Sequence, residues 1–154
     1  MNYDLFNAIA REQLSKDRFV ERLDENEILS FCRSLLESTE LIQDCIIYNP
    51  NKSYSVDTVN TDFLKKTYGD LTGFEMYCNE IVVDGNFFES RTICFLIDTL
   101  RNLFETKFPN KRIVIILINN DICQLRFHTY REEEGLWLDE NIDSYKDEAV
   151  VYDL

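Results

Sequence analysis

Histidine, proline and glycine are scarce in this chain, which has one, two and four of them among 154 residues. Gly69, Gly73, Gly85 and Gly135 stand alone, so neither a Walker loop nor a GxGxxG turn is present; both need clustered glycines to bring backbone N–H groups against a phosphate. A single histidine, His128, with no CxxC or CxxH pair, cannot complete a typical zinc site. Two prolines and no Gly/Ser tract leave no linker, and the length suits one domain spanning residues 1–154. The longest continuous apolar run, residues 113–118, is far too short to span a bilayer. The opening MNYDLFNAIAREQ lacks a basic stretch followed by an apolar one, so no signal peptide is expected and the cytoplasm is the expected location.

Positive charge is also short. Sixteen bases face 29 acids, a net charge of −13 that repels nucleic-acid backbones and anionic membrane surfaces and favours a basic protein as partner. The five cysteines (Cys32, Cys45, Cys78, Cys94 and Cys123) are odd in number and scattered, unlike a secreted disulfide framework. They read as reduced thiols acting as small hydrophobes.

What is present is ample apolar patterning. Residues 3–23 read as helix or helix-turn-helix, and Asp24 with Glu27 forms an acidic capping box for a clearer helix with Ile28, Phe31, Cys32, Leu35 and Leu36 on one face. Residues 41–48 read as one strand ended by Asn49-Pro50-Asn51, with 53–59 as a possible hairpin mate. A short helix over 61–68 stops at Gly69, and a strand follows over 74–83 with a turn at 84–86. Residues 89–108 carry the strongest helical pattern, with Ile93, Leu96, Ile97, Leu100, Leu103 and Phe104 on its core face. RIVIILI (112–118) reads as a central strand covered on both faces, and NND turns it into the alternating strand 122–130. Short strands at 136–138 and 149–152 complete the reading. The expected fold is α+β: a mostly antiparallel twisted sheet with helices packed on it and a helical N-terminal segment.

Catalytic constellations are not discernible. Cys123 lies five residues from His128 on the same expected strand, so their side chains point to opposite faces. His128 falls on the polar face with Arg126 and Tyr130 and reads as a surface or partner-contacting residue. The acids show no EF-hand spacing and no sign of a paired-carboxylate cleft. No cofactor and no metal are expected.

The charge distribution is the positive signal. Residues 131–154 hold nine acids and two bases, −7 of the total −13. Glu132, Glu133, Glu134, Asp139, Glu140, Asp143, Asp147 and Glu148 surround Trp137 and Tyr145, and these ten residues form the candidate partner-binding set. An acidic field speeds encounter with a basic protein, and aromatic rings supply buried anchors.

The order SRTICFLIDTLRNLF, RIVIILI, then LRFHTYREEEGLWLDENIDSYKDEAVVYDL, over residues 88–154, resembles bacterial immunity proteins. It is similar in particular to those that protect against contact-dependent growth-inhibition and related polymorphic toxins. The resemblance implies a small cytoplasmic protein that binds one cognate toxin domain and blocks its active site or substrate groove. Many such toxins are nucleases with basic substrate surfaces. Another acidic interaction module (adaptor, chaperone or nucleic-acid mimic) and an enzyme of unrecognised type remain as alternative readings.

Overall fold

The computed structural model describes residues 3–6, 24–83, 90–119, 123–138 and 148–153. The elements are β1 (Tyr3–Phe6), α1 (Glu25–Glu37), β2 (Thr39–Ile42), β3 (Cys45–Tyr48), α2 (Thr61–Tyr68), α3 (Leu71–Cys78), β4 (Ile81–Val82), α4 (Ser90–Lys107), β5 (Ile113–Asn119), β6 (Cys123–Thr129) and β7 (Glu148–Asp153). Five strands form one sheet in the order β1-β7-β5-β6-β4, every neighbouring pair antiparallel, and β2 and β3 form a separate hairpin. The fold is α+β, as its sequence pattern implies.

β5 occupies the centre and is covered on both faces. Ile115 and Leu117 join Leu125 and Phe127 of β6 against α1 and α4, whose Ile28, Cys32, Ile93, Leu96 and Leu100 are buried with them. Val114 and Ile116 pack on the other face against Met76 of α3 and Leu138. A satellite core of Ile42, Cys45, Ile47, Val59, Leu64, Leu71 and Phe74 joins the hairpin to α2 and α3. Among the described residues no helix is long and apolar enough to cross a membrane.

The local signals act as their chemistry requires. Asp24 caps α1 by accepting from the Asn26 N–H at 3.1 Å, not through the expected box with Glu27, whose N–H bonds the Asp24 carbonyl. At the other end of α1, Lys107 of α4 donates to the Leu36 carbonyl of the last turn and to the Thr39 carbonyl of β2. Asn60 caps α2, which ends at Gly69 with φ +90°, and Asp70 at once caps α3 through the Gly73 N–H at 2.6 Å. The two helices meet so closely that a Cβ on Gly73 would lie 2.7 Å from the Tyr68 carbonyl oxygen.

Five expectations about the elements are corrected. Residues 3–6, read as helix, form strand β1 paired with β7; residues 7–23 lie outside those described. The run 41–48 is a hairpin, not one strand: the chain reverses at Gln43-Asp44, with Gln43 at φ +55° and Ile42 opposite Cys45. Its mate is therefore within itself, and 53–59 contains no strand. The strand expected over 74–83 is α3 followed by the two-residue β4. Residues 136–138 form no strand but follow a turn closed by the Arg131–Gly135 bridge. The expected turns at 84–86 and 120–121 lie outside the described residues, although Asn119 and Cys123 are paired across the β5–β6 hairpin.

Candidate interaction surface and its buried anchor

α3 is buried on nearly every side: Leu71, Thr72, Phe74, Glu75 and Met76 are all enclosed. Glu75 and Asn79 stand four residues apart, hence on one face, and both reach into the gap between β3 and β6. Asn79 accepts from the Tyr48 N–H at 2.7 Å and donates to the Ile46 and Phe127 carbonyls at 2.8 and 2.9 Å. Glu75 accepts from the Ile46 N–H at 2.6 Å and the Thr129 N–H at 2.7 Å. A side chain of α3 and that of its C-cap residue thus bridge β3 and β6, which do not pair directly.

Glu75 also accepts from the Thr129 hydroxyl at 2.9 Å and forms a two-pronged pair with Arg131 at 3.0 and 3.2 Å. Burial pushes the Glu75 carboxyl upward, against the pull of Arg131 and the backbone donors. Every partner named is a donor, and only an ionised carboxylate can accept from all of them, so we assign Glu75 as charged at neutral pH. Arg131 is itself only 6% exposed and donates further to the Asp44 carbonyl at 2.6 Å.

The next link is Glu134. Its carboxylate accepts from the Thr72 N–H at 2.8 Å, the Thr72 hydroxyl at 2.6 Å and the Leu71 N–H at 3.3 Å, and lies 3.6 Å from Arg131. Burial alone would raise this carboxyl; the Thr72 and Leu71 donors with Arg131 outweigh it and hold it below the usual range. Glu134 was expected on the partner-facing surface. The structure turns it inward, 9% exposed, as a charged cap on α3.

That anchoring fixes the turn. Gly135, at φ +74°, donates to the Arg131 carbonyl at 2.8 Å, and Glu132 and Glu133 are exposed at the tip. Leu136 and Trp137 follow, 37% and 45% exposed. The Trp137 ring lies 6.0 Å from the Arg126 guanidinium, which is ion-paired to Glu80 and donates to the Met76 carbonyl at 3.0 Å. Val82, 64% exposed, pairs with Gln124 at the sheet's edge. Of the remaining candidate contacts, Glu148 stands in β7 opposite Asn119. Asp139, Glu140, Asp143, Tyr145 and Asp147 lie outside the described residues.

His128 departs from expectation. It is fully enclosed, not a surface residue, because α3 covers that face of β6. Its Nδ1 lies 2.9 Å from the Thr129 carbonyl, which can only accept, so the proton sits on Nδ1; Nε2 has no hydrogen-bond partner among the described residues. Burial lowers its pKa, and Arg131 adds to the shift against the Thr129 bond. Among the described residues no group of three or more His, Cys, Asp or Glu converges as metal ligands would. Glu75, Arg131 and Thr72 were missed as a unit. The four-residue spacing of Glu75 and Asn79 is the available signal, and a strand reading of 74–83 hides it.

An antiparallel five-stranded sheet with helices on both faces, and an acidic turn clamped to α3, define the class structurally. The chain belongs to the uncharacterized protein PM0498 family, whose model matches residues 1–154. No curated protein and no solved structure is significantly similar to it.

Proposed function

We propose that this chain is a cytoplasmic immunity protein that binds a basic cognate toxin domain, a nuclease of the contact-dependent growth-inhibition type, and blocks its active site or substrate groove. The observation that carries this reading is the clamped turn. Glu132 and Glu133 point to solvent while their neighbours Arg131 and Glu134 are locked into the α3 cluster. A charged loop held in one conformation loses little entropy on binding, and the exposed Trp137 beside it is the residue type that most often anchors an interface. The exposed carboxylates of this held turn would take the place of the phosphates that a nuclease surface is built to receive.

The test is capture with the immobilised chain, comparing wild type with a Glu132→Gln/Glu133→Gln variant and with Trp137→Ala. The account expects wild type to retain a basic protein that arrests growth when expressed alone and is neutralised by co-expression of this chain, with both variants retaining less. A captured protein without toxicity points instead to an adaptor, chaperone or mimic and overturns the immunity reading. Capture that ignores all three substitutions removes the turn from the interface.

A further inference from the structure

Trp137, the chain's single tryptophan, is 45% exposed. An exposed ring ordinarily changes rotamer within nanoseconds, and an anchor that must settle into one orientation on contact loses that freedom. Its surroundings oppose such motion. The backbone is tied on both sides: Glu134 is bonded to Thr72 at the start of α3, and Leu138 is buried with Met76, Val114 and Ile116. The ring itself meets Arg126, whose guanidinium lies over it at 6.0 Å from the ring centre.

The strand pattern puts Arg126 there. Leu125 and Phe127 fill the core under α1 and α4, so Arg126 between them projects to the α3 side of β6. Its guanidinium is held independently of Trp137. Nη1 donates to the Met76 carbonyl at 3.0 Å, and Nη2 is ion-paired with Glu80 and lies 3.5 Å from the Gln124 amide oxygen. The buried Nε has no hydrogen-bond partner among the described residues, and an indole face is a weak acceptor for such an N–H. Glu80 neutralises the arginine, which does not weaken its hold on the ring. What the ring needs is a planar group kept still, and a guanidinium stacks on aromatic faces as well as attracting them.

We propose that Arg126 is a positioning residue. Fixed by Glu80 and the Met76 carbonyl, it seats the Trp137 indole in one orientation, so that the anchor is formed before a partner arrives. This rests on the reading of Trp137 as a contact residue, and adds to it a pair, Glu80 and Arg126, that acts through the ring.

Because no other tryptophan is present, fluorescence reports on this ring alone. Time-resolved anisotropy is compared for the full wild-type chain, Arg126→Gln, Glu80→Gln and a control, Lys65→Gln/Lys66→Gln on α2. Wild type should lose less than about a quarter of its anisotropy in the first nanosecond or so, the range in which free side chains reorient. Arg126→Gln should about double that fast loss, Glu80→Gln should raise it by a smaller amount, and the control should leave it unchanged. A wild-type ring that loses most of its anisotropy that early, an unchanged loss in either variant, or an equal rise in the control would each overturn the proposal. Glu80→Gln alters a partly exposed ion pair and should keep the wild-type urea midpoint, so it decides the matter even if Arg126→Gln folds poorly. No partner enters the measurement. A freely moving ring would leave the toxin reading standing, and failure to capture a toxin would leave the seating of the ring intact.

Discussion

Protonating His128 would add a cation beside Arg131 in a site that offers its Nε2 no acceptor among the described residues. Asp70 and Glu134 are the acids that act on it, and they do not offset the burial. The neutral ring is therefore preferred in the folded protein, while an unfolded histidine takes up its proton near pH 6.5. Below that value the unfolded state binds the extra proton, so the contribution is intact above about pH 6.5 and is lost as pH falls toward the lowered native value. His128 is the chain's single histidine, which makes the test clean. Urea midpoints measured from about pH 7.5 to 5.5 should fall for wild type and stay nearly level for His128→Phe; parallel curves would refute the assignment. The Glu75–Arg131 pair makes a different demand. Removing Arg131 leaves a carboxylate that is completely buried, so Arg131→Met should cost about 3–5 kcal/mol, and Glu75→Gln in the same chain should restore part of it. A single-variant loss under about 1 kcal/mol would mean that Glu75 is not held charged.

Elements that advertise themselves by period are the ones legible in the sequence. α4 shows Ile93, Leu96, Ile97, Leu100 and Phe104 at helical spacing, and all five are buried. Leu100 is completely enclosed, so Leu100→Ala should cost about 2–5 kcal/mol in a denaturant melt. A loss under about 0.5 kcal/mol would contradict the packing described. β5 and β6 were legible for the same reason, as a continuous apolar run and a clean alternation. α3 was not, because a short helix enclosed on nearly all sides has no polar face to set its period. The β2–β3 hairpin was hidden by its turn: Gln43 takes a positive φ that glutamine rarely adopts, so nothing in 41–48 signals a reversal. β1 is a strand of four residues whose partner lies at the far end of the chain, a long-range pairing that local pattern does not reveal. The site suffered accordingly. The acidic turn and Trp137 were legible from charge and composition, whereas the inward role of Glu134 depended on α3, and so did the burial of His128.

At the scale of the whole molecule, two charged stretches lie on different sides of the sheet. The α3 side presents Glu132 and Glu133 beside Trp137, and the α4 side carries the cationic stretch 101–112. If the acidic turn receives a basic partner, the two kinds of residue on it should act on different rates. Exposed carboxylates steer the approach, so their removal slows association and reduces its dependence on salt. Trp137 acts after contact, and its truncation should raise the dissociation rate at a cost on the order of 2 kcal/mol. The most direct measurement is the association rate of the captured partner at low and high salt, for wild type and for Glu132→Gln/Glu133→Gln. The account predicts a slower rate at low salt and a flatter salt dependence for the variant. An unchanged rate with an unchanged salt slope would show that the turn does not steer binding, and would contradict the central claim.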